Sequence, residues 1–174
     1  MAKDLLKIIE QKKAAIVKNW FDLIAQTYAP DTAKFIKSKT DPFANPVGGS
    51  IRNGLDGLLD QLIHDMDPQI INSYLDPIIR IRAVQNFTPS QATAFILSLK
   101  KALRKNLTKE LRDIRHINGL LELESKIDQL SLMAFDLYMQ CREKIYQLSA
   151  NETKNRTFRA FERAGLVSES SEGS

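Results

Sequence analysis

Between Leu120 and Leu148 the apolar positions Leu120, Leu123, Ile127, Leu130, Ala134, Leu137, Cys141, Ile145 and Leu148 recur at steps of three and four. Such steps return to one face of an α-helix. Nothing else restricts the fold as strongly, because a strand would send alternate residues to opposite faces and scatter this set. The pattern predicts a long C-terminal helix and an all-α fold. Unbroken from Glu110 to Arg163, that helix would measure about 80 Å, against about 40 Å for a globule of this chain length. Breaks are therefore expected at Asn118-Gly119 and at Ser149-Ala150-Asn151-Glu152. The second reads as a capping box for a terminal helix bearing Phe158 and Phe161.

The rest of the chain speaks the same language. Leu5, Ile9, Ile16, Trp20, Ile24 and Tyr28 share one stripe, which predicts a first helix from Asp4 that stops near Ala29, before Pro30. A helical turn over 32–37 buries Phe35 and Ile36, and 38–49, with two prolines and two glycines, reads as a crossover loop around Phe43. Val47, Ile51, Leu55, Leu58, Leu62 and Met66 mark the next helix, whose Gly54 and Gly57 let another helix approach closely. Asp67-Pro68 and Asp76-Pro77 each read as a helix start, giving two short helices. Thr88-Pro89-Ser90-Gln91 is a capping box opening a helix with Ala92, Phe95, Ile96, Leu99 and Leu103 inside. The expected architecture is a single-domain bundle of about six to eight helices over 1–165, with 166–174 a disordered tail.

Chemistry is harder to find. Nucleophilic catalysis needs a Ser or Cys with a partnering His, and a metal site needs several ligands at fixed spacing. Here His64 and His116 each lack a second ligand three or four residues away, and Cys141 sits on the heptad stripe as a small apolar residue. Gly48-Gly49, Gly54 and Gly57 lack the lysine and preceding strand of a phosphate loop. No catalytic residue, metal site or cofactor is expected, and the chain reads as a binding protein rather than an enzyme. The N-terminus lacks a secretory apolar run, and no stretch approaches a membrane span, so a cytoplasmic protein without membrane insertion is expected. The formal charge of +4 concentrates in Lys100, Lys101, Arg104, Lys105, Lys109, Arg112 and Arg115. Without an aromatic or nucleic-acid signature, this stretch reads as a solvated face rather than a nucleic-acid site.

Two features resist explanation as packing alone. Arg80 and Arg82 lie inside the apolar run Ile78 to Val84, so a guanidinium is buried there and needs a partner, a carboxylate or the loop carbonyls around Asn45. With Phe43 they form a candidate ligand or anion site. The heptad stripe is also long enough to join a second copy, with Leu123, Ile127, Leu130 and Leu137 as the candidate homodimer interface.

The run Asp41-Pro42-Phe43-Ala44-Asn45-Pro46-Val47-Gly48 after Lys37 and Lys39, then Gly54-Leu55, Leu58-Leu59, and Arg80-Ile81-Arg82-Ala83-Val84-Gln85-x-Phe87-x-Pro89-Ser90-Gln91-Ala92 resembles the N-terminal domain family of the RsbT co-antagonist protein RsbRD, from about Leu5 to Gln147. The resemblance implies an input domain of a stress-signalling regulator, of a kind compared with non-haem globin-like sensor domains and usually found before a STAS domain. No βα pattern of a STAS domain is present, so the chain reads as a stand-alone member. The resulting expectation is a sensory or regulatory domain that works through a protein partner of a signalling pathway. A small-molecule or haem-type helical sensor is the alternative.

Overall fold

The computed structural model describes residues 2–38, 45–85 and 87–164. Their elements are α1 (Ala2–Gln11), α2 (Lys13–Ala25), α3 (Pro30–Ser38), α4 (Pro46–Ile63), α5 (Pro68–Val84), α6 (Pro89–Asn106), a 3₁₀ turn (Glu110–Arg112) and α7 (Ile114–Arg163). The all-α bundle read from the sequence is the fold, with no strand among the described residues. Helix α7 is its spine, touching α1, α4, α5 and α6, while α2 packs on α4 and α6.

The expected single N-terminal helix is two. It bends at Lys12, and the second half ends at Ala25 rather than Ala29. The Lys12 ammonium is drawn to the far end of α6, 2.9 Å from the Asn106 carbonyl and 2.6 Å from Glu110 Oε1. This bend lets Leu5 and Ile9 pack on α7 while Ile16, Trp20 and Ile24 face α6. The Trp20 indole is fully buried and donates to the Phe95 carbonyl at 2.7 Å, which satisfies its one donor. In α3, Ile36 is buried as expected but Phe35 is 52% exposed.

The two short helices expected at Asp67 and Asp76 are one. Asp67 caps α5, accepting from the backbone N–H groups of Gln69 and Ile70. Pro77 then sits inside the helix. A mid-helix proline costs about 3 kcal/mol in isolation, but Ile71, Leu75, Ile78 and Ile79 on both sides of it are fully buried, and that burial outweighs the lost hydrogen bond. Asp76 is freed from capping and pairs with Arg80 Nε at 2.6 Å. The close approach expected at Gly54 and Gly57 is made by α5: a Cβ on Gly54 would lie 2.7 Å from Ile78 Cδ1, and one on Gly57 would collide with the Tyr74 ring. The Thr88 capping box closes as the sequence predicts, with Gln91 N–H on Thr88 Oγ1 and Thr88 N–H on Gln91 Oε1.

The largest departure is α7, which runs 50 residues without a break, about 75 Å at 1.5 Å per residue. Gly119 is buried within it, and the Ser149–Glu152 capping box is not used; the Ser149 carbonyl instead accepts from Thr153 Oγ1 inside the helix. The globule's diameter does not limit the helix, because the helix does not stay within the globule. Every residue from Tyr146 to Ala164 is exposed, so its last turns project past the bundle.

Candidate functional site

Arg82 lies near the C-terminal end of α5 and is fully buried. Its Nη1 donates to the Tyr28 hydroxyl at 3.2 Å, and its Nη2 to Thr27 Oγ1 at 3.0 Å and to the Gln91 carbonyl at 3.2 Å. The rings of Phe87, Tyr28 and Phe95 surround the guanidinium carbon, with centroids at 4.5, 5.1 and 5.4 Å. No ion pair among the described residues includes it. Its charge is instead spread over three neutral acceptors and three aromatic faces, each a favourable site for a weakly hydrated guanidinium. Two buried atoms nearby in sequence, Arg82 Nε and Gln85 Oε1, make no hydrogen bond among the described residues. Burial holds the guanidinium below the usual arginine range, opposed by Tyr28, and pushes the Tyr28 phenol up. The result is a knot joining the ends of α2 and α5 to the start of α6. Tyr138 of α7 extends it by donating to the Phe87 carbonyl at 2.8 Å.

The expected alliance of Arg82 with Asn45 does not form. Asn45 caps α4 through Oδ1, which accepts from Gly48 N–H at 2.8 Å, while its Nδ2 donates to the Phe35 and Ile36 carbonyls at 3.0 and 2.8 Å. It ties α3 to α4, and Arg82's hydrogen bonds reach neither helix. Phe43 lies outside the described residues. Arg80 points away from the core and is held by Asp76, so Arg80, Arg82 and Asn45 do not converge on one site.

Arg80 belongs to a different feature, an open cleft of about 450 Å³ where the end of α5 meets α7. Ala83, Val84, Leu137, Ile145 and Leu148 give it apolar walls, and Asp76, Arg80 and Lys144 rim it. The cause is geometric. The core-facing stripe of α7 continues beyond the last turn of α5, so among the described residues Ile145 is only half-buried and Leu148 is exposed. Val84 is 75% and Leu148 61% exposed. Cys141 lines the same cleft, and its thiol is pushed up by partial burial, opposed by Arg80. That direction disfavours a reactive thiolate.

Of the expected interface residues, Leu123, Ile127 and Leu130 are buried in the chain's own core, and Leu137 packs against it from the cleft. A second copy does not reach the first three. Both histidines serve helix ends: His64 pairs through Nδ1 with the Asp60 carbonyl and His116 through Nδ1 with the Glu110 carbonyl. The basic stretch is partly spent within the fold. Arg104 grips Glu124 with two bonds of 2.9 and 2.8 Å, Lys100 meets Asp128 at 2.6 Å, and Arg115 pairs with Asp113. Among the described residues no group of three or more His, Cys, Asp or Glu is placed to hold a metal ion, and no helix is long and apolar enough to cross a membrane.

The cleft and the projecting arm are not legible in the sequence, although their residues are: Ile145 and Leu148 belong to the stripe, and the end point of α5 leaves the first half-buried and the second exposed. No curated protein and no solved structure matches the chain. A family model does match residues 14–153, a span that includes the Arg82 knot and all but the last turns of α7, and the chain belongs to the RsbT co-antagonist protein rsbRD N-terminal domain family.

Proposed function

We propose that the chain is a non-enzymatic regulatory module of stress-type signalling, acting in the cytoplasm by association with a protein partner, with α7 presenting the binding surface. Family membership supports regulation of stress signalling in general. The observation that carries the rest is the uncovered end of the α7 core seam, where Val84 and Leu148 face solvent beside Lys144 and the Asp76–Arg80 pair. An apolar floor with a cationic edge suits an amphipathic helix that carries carboxylates along one side.

The test replaces Val84 and Leu148 with glutamate. Both are surface residues, so helical circular dichroism is expected to stay as in the wild type, while the protein partner recovered with the wild-type chain from its native host is lost. Retention of that partner by the double variant contradicts the assignment of the surface. Turnover of a metabolite by the purified chain, abolished by one polar substitution, contradicts the non-enzymatic reading.

A further inference from the structure

The basic stretch of α6 divides between two sides of the helix. Towards α7, Lys100 and Arg104 are neutralised by Asp128 and Glu124. On the solvent side Leu97, Lys101 and Lys105 follow one another at i, i+4 and i+8, a single ridge that turns about 40° per step. Leu97 is 44% exposed, and both lysines are exposed. Neither lysine has an ion pair among the described residues. Lys105 donates to a neutral group only, Asn19 Oδ1 of α2, at 3.3 Å. The two lysines border a groove of about 320 Å³ between α6 and α2, with buried Ala102 and half-buried Leu23 in its lining. Asp22, the one carboxylate among the groove's described residues, is already held by Lys37 at 2.8 Å. Like charges one turn apart repel and weaken a helix. An exposed leucine alone is ordinary on a surface, but at the head of this ridge it makes an apolar anchor beside a cationic track.

We propose that the α2–α6 groove docks an acidic helical segment of a protein partner, which seats an apolar side chain on Leu97 and its carboxylates on Lys101 and Lys105. The surface is separate from the Val84–Leu148 cleft and stands whatever occupies that cleft. Charge complementarity selects the sign of the partner: Lys37, Lys101 and Lys105 face one carboxylate that is already paired, so the groove attracts anions. Spacing selects its form. The ridge rises about 6 Å per step, the same rise that separates side chains four apart on a helix laid alongside. Leu97 selects protein over nucleic acid, because a phosphate backbone gains nothing from an apolar anchor and the groove's described residues include no aromatic ring on which a base could stack.

The test is chemical-shift mapping of the isotope-labelled full chain at low salt. The probe is a helical peptide with one leucine and two glutamates in an i, i+4, i+8 row, taken to millimolar concentration. Saturable shifts are expected at Leu97, Lys101 and Lys105 and across the groove at Asn19 and Leu23. Lys101→Glu with Lys105→Glu should weaken binding about tenfold, while circular dichroism stays unchanged because neither side chain is in the core. The same peptide with lysines in place of its glutamates should bind the double variant better than the wild type, a reversal that structural damage does not produce. Absence of saturable shifts at the ridge, or equal binding of the glutamate peptide by the double variant and the wild type, overturns the proposal. An oligodeoxythymidylate that shifts the same residues and binds more tightly than the peptide overturns it in favour of nucleic acid. The substitutions leave Val84 and Leu148 in place, so loss of this docking and loss of the cleft's partner are read separately.

Discussion

The guanidinium of Arg82 stands 3.2 Å from the hydroxyl of Tyr28, in a site where neither residue is appreciably exposed and no carboxylate among the described residues balances the charge. A buried cation held only by neutral groups is costly to break singly, because each group it leaves is buried without a partner. Arg82→Ala would leave a cavity and orphan the Tyr28 hydroxyl, Thr27 Oγ1 and the Gln91 carbonyl, for a loss of about 3 kcal/mol. Arg82→Met keeps most of the volume and removes the buried charge, and is expected to cost less than half as much. Urea unfolding of the two variants checks both the size and the order.

Tyr28 gives the fold a pH dependence. Burial raises its phenol above the ordinary value of 10.0, with Arg82 opposing. The unfolded chain therefore releases this proton at lower pH than the folded one. The corresponding stability is fully present below pH about 10 and is lost as pH rises through the folded value. Melting temperature is expected to fall above pH about 10, less steeply in Tyr28→Phe than in the wild type.

Asn45 joins α3 to α4, accepting from Gly48 N–H and donating to the Phe35 and Ile36 carbonyls. Asn45→Ala removes the cap and leaves two carbonyls without this donor, an expected loss of about 2 kcal/mol. Asn45→Asp keeps the cap but presents a carboxylate to the Phe35 and Ile36 carbonyls, so it should recover little of that loss. Thermal unfolding of both variants decides.

The Arg104–Glu124 pair links α6 to α7 with a bidentate geometry, Glu124 being the buried partner. Arg104 is largely exposed, so Glu124→Gln should cost only about 1 kcal/mol, and raising the salt concentration should shrink the difference from wild type.

Much of this molecule is legible in its residues. The all-α bundle follows from apolar spacing, the Thr88–Gln91 box from its side-chain chemistry, and the close α4–α5 contact from Gly54 and Gly57. The departures lie where a local signal is overruled, by tertiary packing in α5 and by simple continuation of the helix in α7. Asp76-Pro77 has the form of a helix start, but the burial of Leu75, Ile78 and Ile79 carries α5 straight through Pro77. Ser149–Glu152 has the form of a cap, but α7 continues past it. For the site, an arginine inside an apolar run does mark Arg82 as buried. Its partners Thr27, Tyr28 and Gln91 come from two other segments, and no sequence spacing links them to it.

The central claim is that α7 is one continuous rod whose last turns stand clear of the bundle. Spin labels on cysteines at Leu121 and Thr157, both on the surface, in a Cys141→Ser background and diluted with unlabelled chain, measure it directly by pulsed dipolar spectroscopy. The unbroken helix between them places the labelled sites about 54 Å apart. A narrow distribution near that distance is the expected result, and a distance of half that or less, from an arm folded back at Ser149–Glu152, would contradict it.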